Sequence, residues 1–446
     1  MPSAALWLKK NLMKIKLLVA LLSLSLCGPA PAESTIAVPT NDAYFAGLLL
    51  PKAPQPKHPV LRANDRLAIC GDSITEQRRY SRIMETYLTV ALPELNIGVR
   101  QYGWSGEQAW GFLRRMTNDV LRFNPTVATT CYGMNDHHYR PYEPSIGRTY
   151  ASNMTDIVLA FKAAGTRVIV GSPGCMGLKN PPWGNIQGTP KERNVNLCFL
   201  RDIDIDIADV EKTGFADVFW DMYLAQYHAG QSYGANYNLA GKDSVHPGWA
   251  GHLVMAYAFL KALDVPGDIG AFTVDLAANK ASVSKGHQLI SYGDGVLTVK
   301  STRYPFCAAG PADSDDSIRS GMALVPFNQD LNRLMLVVKG GKAANYLITW
   351  GASSRLYSAP QLARGVNLAA DFEVNPFSDA FAAVDQAVAR KQEFETTQIK
   401  QLFHGEAGKA DMEKTVDDSE KDRAPLAAAI KAALVPVTHT LTITPR

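Results

Sequence analysis

Four short stretches of this chain carry side chains whose types suit acyl transfer. In Gly71-Asp72-Ser73-Ile74-Thr75, a serine follows a short apolar run and precedes a helical pattern. Ser73 would then stand at the carboxyl end of a strand, where ligands of open α/β sheets sit. It would also stand at the amino end of a helix, whose free N–H groups favour negative charge. Asp243-Ser244-Val245-His246 places a carboxylate three residues ahead of an imidazole. At that spacing Asp243 can accept the Nδ1 proton and leave Nε2 of His246 free as a base. Tyr132-Gly133-Met134-Asn135-Asp136 supplies a neutral amide, Asn135, that can donate to a developing oxyanion. Tyr102-Gly103-Trp104-Ser105-Gly106-Glu107 holds two glycines, which allow a tight turn with an N–H facing outward. Taken singly, each stretch also reads as a capped turn, a plain turn, an Asx turn or a chance Asp-x-x-His.

These residues act together only if the fold brings them to one rim. Apolar strand candidates fall at 66–70, 97–102, 126–131, 167–171 and 216–220, with helical patterns near 76–92, 108–122, 147–164, 191–212 and 249–263. Such alternation predicts an α/β fold whose parallel five-stranded sheet is covered on both faces. About 200 residues, 64–264, suit a flavodoxin-like, three-layer α/β/α domain. Within 191–212, Arg201-Asp202-Ile203-Asp204-Ile205-Asp206-Ile207 spaces three acids at alternate positions. A strand edge or a helix with a mixed face explains that run better than a metal ladder does.

From Val265-Pro266-Gly267-Asp268 the texture changes to short, often alternating runs at 271–276, 281–291, 295–307, 321–326, 333–339 and 344–350. Lys339-Gly340-Gly341-Lys342 reads as a hairpin turn between two of them. Helical stretches at 376–403 and about 408–433 precede a last alternating strand at 437–443. Residues 265–446 therefore read as a β-rich module carrying a helical hairpin at about 376–433, either a solvated arm or a lid.

The four blocks, in this order, resemble those of the SGNH/GDSL hydrolase superfamily. Gly71-Asp72-Ser73 matches the first block, Gly106 the second, Gly133-Met134-Asn135-Asp136 the third and Asp243-Ser244-Val245-His246 the last. The resemblance covers about residues 64–264; it departs at Gln101, where an asparagine is frequent five residues before the glycine. It implies a serine esterase in which Ser73 attacks, His246 takes its proton and Asp243 orients the imidazole. The implied oxyanion hole is the backbone N–H groups of Ser73 and Gly106 with the side-chain amide of Asn135. No metal and no cofactor are implied. The competing Ser282-Val283-Ser284-Lys285 fits S-x-x-K but lacks its companion motifs, and there is no H-E-x-x-H.

Composition is that of an ordinary globular protein, with 46% hydrophobic and 20% charged residues. At 446 residues, two domains or one elaborated domain is expected. Residues 1–32 read as a secretory signal peptide: Lys9, Lys10, Lys14 and Lys16, an apolar run from Leu17 to about Leu26, and Ala30-Pro31-Ala32. Export to the periplasm or the exterior is expected. Cleavage would remove four lysines and no acids, taking the net charge from +3 to about −1 and giving no hint of a nucleic-acid partner. The apolar run is too short for a membrane span. Residues 33–63 form a Pro-rich lead-in. The five cysteines beyond residue 32 form no zinc spacing; buried thiols are expected, with a Cys175–Cys198 disulfide the alternative.

Flat rings with polar neighbours cluster near the expected cleft: Trp104, Trp110, His137, His138, Tyr139 and the Asn180–Asn185 loop with Trp183. That favours an acylated carbohydrate, most simply an acetyl ester, with Asp72, Trp104, His137 and Trp183 as candidate substrate contacts. A short-chain or lipid esterase is the alternative within the class, and a non-catalytic glycan-binding protein the alternative outside it. Oligomeric state is left open by the sequence.

Overall fold

The computed structural model describes residues 42–56, 60–308 and 310–446. The leader at 1–32 and residues 33–41 and 57–59 of the lead-in fall outside them. Of the described residues, 42–49, 53–56, 60–308 and 310–446 belong to one compact unit.

The strands β1 (Arg66–Gly71), β2 (Gly98–Gly103), β3 (Val127–Cys131), β4 (Arg167–Gly171) and β5 (Gly214–Ala216) form a sheet of order β2-β1-β3-β4-β5. Every pairing in it is parallel. β1 is buried from Leu67 onward, as a strand covered on both faces must be. On one face Ala68, Cys70, Ala128, Val168 and Val170 join Phe112, Met116, Tyr150, Ile157 and Phe161. Those last residues come from the helices α3 (Ala109–Asp119) and α4 (Pro144–Ala163), beside which lies α5 (Pro190–Glu211). On the other face α2 (Tyr80–Ala91) and α6 (Val218–Tyr233) both pack against α7 (Trp249–Ala262). The short α1 (Ser73–Glu76) follows β1 directly.

Three expectations are corrected. The run 216–220 is not a strand: β5 stops at Ala216, and Asp217 caps α6 by accepting from the Trp220 N–H at 3.3 Å. Val218, Phe219 and Trp220 are all buried, and an apolar run of that length has no period to tell strand from buried helix. Residues 321–324 belong instead to a helix, Ile318–Leu324, capped by Ser317, and Val325 and Pro326 follow it as a connection. The Lys339–Lys342 turn joins strands of different sheets and so makes no hairpin. The acidic run at 201–207 is helical. Arg201 pairs with Asp217 at 2.6 Å, and Asp204 accepts from the Tyr150 hydroxyl at 2.9 Å. Among the described residues no cluster of ligating side chains suits a metal. Cys175 and Cys198 are separate buried thiols.

Beyond residue 267, β6 (Asp268–Asp275), β7 (Lys280–Val283), β10 (Arg333–Lys339) and β13 (Val366–Asn367) form a sheet of order β13-β10-β6-β7. A second sheet has the order β12-β11-β14-β9-β8, from β8 (His287–Gly293), β9 (Val296–Ser301), β11 (Asn345–Trp350), β12 (Ser353–Ser358) and β14 (Val437–Pro445). One hydrogen-bond chain links the two sheets. Trp350 Nε1–H donates to His439 Nδ1 at 3.1 Å, which leaves the His439 proton on Nε2 for Ser301 Oγ at 2.9 Å. Ser301 then donates to His287 Nδ1 at 2.8 Å, and His287 Nε2–H to the Ile269 carbonyl at 3.0 Å.

Between β13 and β14 the chain makes a helical arm. It comprises α8 (Ser378–Thr397), a π-helical turn (Gln398–Phe403), a short helix (Glu406–Ala410) and α9 (Met412–Ala433). The arm covers the outer edge of β2. Its Lys391 and Arg423 donate to the Val99 carbonyl, and its Glu395 accepts from the Gln101 N–H at 3.2 Å. Side chains thus satisfy backbone groups that a neighbouring strand would otherwise take. The charges are buried with partners: Lys391 lies 2.8 Å from Glu395 and 3.0 Å from Glu85, and Arg423 lies 2.7 Å from Glu395.

Replacing Lys391 by Met takes the cation from buried Glu85 and one of two cations from buried Glu395. The unfolding free energy measured by urea titration should fall by about 3–5 kcal/mol. The sheet-to-sheet chain predicts an acid sensitivity. Burial pushes His439 down to about 3, with His287 beside it adding to the shift, against an ordinary value of 6.5. Below pH 6.5 the unfolded chain binds a proton that the folded one refuses, so this contribution to stability is lost as pH falls. The advantage of the wild type over His439→Asn should shrink by about 1.4 kcal/mol per pH unit between pH 6 and 4; a constant difference across urea titrations at those pH values would contradict it.

Candidate active site

The register of three strands brings the sequence blocks together. Gly71 pairs with Gly103 on one side and Cys131 on the other, so the loops after β1, β2 and β3 leave the sheet side by side. Neither glycine has room for a side chain. A Cβ at Gly71 would lie 2.1 Å from Thr75 Oγ1, and one at Gly103 would lie 2.1 Å from the Glu76 nitrogen. Their absence of side chain lets α1 settle onto the strand ends. Asp72 caps that helix by accepting the Ile74 N–H at 2.9 Å.

Ser73 Oγ is 2.8 Å from His246 Nε2, and His246 Nδ1 is 2.7 Å from Asp243 Oδ2. The other Asp243 oxygen accepts the backbone N–H groups of Val245 and His246 at 2.9 and 2.8 Å. Burial opposes the charge of Asp243, but the His246 N–H, its ring and the Val245 N–H outweigh it and hold the carboxyl below its ordinary range. Ser244, between the partners, has φ +63 and is buried, its hydroxyl accepting from Asn238 at 3.1 Å. The left-handed residue folds the loop back so that carboxylate and ring meet. This is the geometry in which an imidazole can accept a hydroxyl proton while a carboxylate fixes its tautomer.

Asn135 lies at the head of the next loop. Its amide donates to the Glu107 carbonyl at 3.0 Å and reaches Asp72 at 3.4 Å, and its oxygen accepts from Tyr139 at 3.4 Å. The bond to Glu107 ties Asn135 to the residue after Gly106. Gly106 has φ +74, with nothing near a would-be Cβ. Among the described residues no acceptor engages its N–H or that of Ser73. Two free backbone donors and one oriented amide on this rim are the donor set an oxyanion needs.

The four candidate substrate contacts fare differently. Trp183 is 37% exposed, its ring 6.2 Å from that of His246 and edge-on to Tyr139 at 5.8 Å. Trp104 is half-buried, with the Arg115 guanidinium and the Lys400 ammonium each 5.2 Å from its ring and the His404 ring at 4.9 Å. Asp72 and His137 are buried and so do not meet a substrate as expected. Asp72 serves as the helix cap, and burial pushes its carboxyl up to about 7, with Asp136 and Glu107 adding to the rise. His137 bonds to the Met134 carbonyl beneath the loop, and burial pushes it down to about 3. Asp72 sits one residue from Ser73 and His137 two from Asn135, with their side chains turned inward.

Several residues of the site were not singled out from the sequence. Glu107, buried, accepts from Arg115 at 2.6 Å and from the Tyr132 hydroxyl at 3.1 Å. Its adjacency to Gly106 was the available signal. Gln101, the departure from the family block, accepts the Gly103 N–H at 3.0 Å and donates to Thr396 of the arm at 2.6 Å. Glu76, Lys400 and His404 have no local signal, since their contacts span some 285–324 positions.

Residues 69–254 match the GDSL-like Lipase/Acylhydrolase family. Among solved structures, a gut microbial diltiazem-metabolizing enzyme aligns at 21% identity over 89% of this chain and 100% of its own, with TM-score 0.71. That likeness extends the shared fold through the C-terminal sheets. A mutant of Axe2, an acetyl-xylooligosaccharide esterase from Geobacillus stearothermophilus, aligns at 22% identity over 46% of this chain and 97% of its own, with TM-score 0.39. LAE5, an alpha/beta hydrolase from the metagenome of Lake Arreo, Spain, aligns at 20% over 46% and 98%, with TM-score 0.38. No curated protein matches the chain significantly.

An amide at position 243 would present N–H rather than oxygen to His246 Nδ1 and so favour the wrong tautomer. Asp243→Asn should lower the kcat for a small ester by about 10⁴-fold with the circular dichroism spectrum unchanged.

Proposed function

Taking the chain as a member of the SGNH/GDSL hydrolase superfamily, and so a carboxylic ester hydrolase, we propose that it removes acyl groups, acetyl foremost, from a carbohydrate. The observation that carries the mechanism is Ser73 Oγ within 2.8 Å of His246 Nε2, with Asp243 behind the ring. Ser73 attacks the ester carbonyl as its proton passes to Nε2. The oxyanion of the tetrahedral intermediate takes hydrogen bonds from the N–H groups of Ser73 and Gly106 and from the Asn135 amide. Collapse breaks the bond to the sugar oxygen, which takes the proton back from His246. A water, deprotonated by the same Nε2, then frees the carboxylic acid and restores the serine.

The carbohydrate reading is supported by aromatic rings near the triad. Trp183 lies beside His246 with Tyr139 edge-on to it, and Trp110 is 48% exposed, its indole N–H on Gln108 at 2.6 Å. Exposed aromatic faces edged by polar groups suit sugar rings, which present C–H on their faces and hydroxyls at their rims. The leader pattern at 1–32 supports export to the periplasm or beyond, where such polymers are met.

The test is acetate release from a panel of acetylated oligosaccharides and polysaccharides, run beside p-nitrophenyl acetate and p-nitrophenyl octanoate. Ser73→Ala should abolish turnover of every one, and the wild type should favour acetate. Preference for octanoate with no release from any glycan would favour a lipid esterase; turnover that survives Ser73→Ala would remove the nucleophile.

A further inference from the structure

We propose that the helical arm completes the esterase site through Lys400, a positioning residue that clamps Glu76 and thereby sets the Ser105–Gly106 backbone for the oxyanion. The proposal rests on the esterase reading, with Gly106 as an oxyanion donor. Glu76 closes α1, three residues after Ser73. Lys400 Nζ lies 2.8 and 2.9 Å from its two oxygens, and Oε2 of the same carboxylate also accepts the Ser105 N–H. Holding that N–H fixes the peptide plane before Ser105, and the next N–H along the chain is that of Gly106.

The loop is gripped at its side chain as well. The indole of Trp104 has the Lys400 ammonium and the Arg115 guanidinium each 5.2 Å from its ring and meets the His404 ring edge-on. His404 is in turn anchored 2.8 Å from Asp119. Lys400 belongs to the π-helical turn Gln398–Phe403, a rare conformation found frequently at functional sites. The pairing has an electrostatic side too. Unpaired, the Glu76 carboxylate would place a negative charge on the loop that must stabilise another.

Both halves of the clamp can be tested in the full chain with p-nitrophenyl acetate, counting active sites by titration with a fluorophosphonate. Lys400→Met should lower kcat per titrated site about tenfold, part of what losing a whole oxyanion donor costs, with KM within about twofold. Lys400→Arg, which keeps a cation for Glu76, should recover most of the rate. Glu76→Gln should fall between them, keeping an acceptor for Ser105 but not the ion pair. A purely structural role would lower the melting temperature and the number of titrated sites while leaving kcat per site unchanged. Wild-type kcat per site in Lys400→Met, or equal loss in Lys400→Arg and Lys400→Met, would overturn the positioning role. Both results would be read with Ser73→Ala alongside: an inactive Ser73→Ala with a fully active Lys400→Met refutes the clamp alone, whereas an active Ser73→Ala refutes the esterase reading beneath it.

Discussion

Gly71, Gly103 and Cys131 stand abreast on three parallel strands, and the spacing of strands in a sheet, just under about 5 Å, sets the width of everything built above them. Three loops leaving adjacent strands at one level can share a cleft without long excursions. A slip of one residue in any pairing would turn its loop to the opposite face. The two glycines matter here because α1 rests where their side chains would be. The loops are then laced to one another: Trp104 N–H to the Gly71 carbonyl at 3.1 Å, Asn135 to the Glu107 carbonyl, Ala109 N–H and Gly133 N–H to Asp136 at 3.0 Å each. Buried carboxylates do this work as acceptors for backbone donors, and burial raises the affinity of Asp72, Asp136 and Glu107 for protons.

β2 is an edge strand, and an edge strand that is buried needs partners for its outward backbone groups. Here helix side chains take that part instead of a sixth strand. Charged groups are a costly choice for a dry position, since each loses its hydration. The arrangement holds because each is multiply paired: Lys391 has two carboxylates and a carbonyl, and Glu395 has two cations and an N–H. The same arm carries Thr396, Lys400 and His404 to Gln101, Glu76 and Trp104. Edge protection and the support of the Ser105–Gly106 loop are therefore two ends of one packing surface.

Much of the domain around Ser73 was legible in the amino-acid sequence because its signals are local. Apolar runs ending in glycine or cysteine marked β1 to β4, and the spacing from Asp243 to His246 needs only one tight loop. The misreadings are also local in origin. Val218–Trp220 is a continuous apolar run because the first three residues of α6 are all buried, so no period survives to identify it. Gly340 and Gly341 have the composition of a hairpin turn, but nothing in four residues tells which sheet the following strand will join. His137 and Asp72 are of catalytic type and adjacent to site residues, yet burial, which decides their role, is a property of the packed protein. The arm illustrates the limit most sharply. Lys400 reads as one lysine among many in a polar helix, and its partner Glu76 lies 324 positions away.

The topology of the second sheet has a consequence for how the protein is made. β14 is an inner strand, inserted between β9 and β11, and its Val437 pairs with Ser301 of β9. During synthesis β9 and β11 therefore leave the ribosome with a gap between them that only residues 437–445 can fill. At elongation speeds of about 5–20 residues per second the wait from β9 to β14 is roughly 7–30 s. For that interval the two strands expose unpaired inner edges, and a chaperone that shields them, or a slow start to their pairing, would protect the nascent chain from sticking to its neighbours.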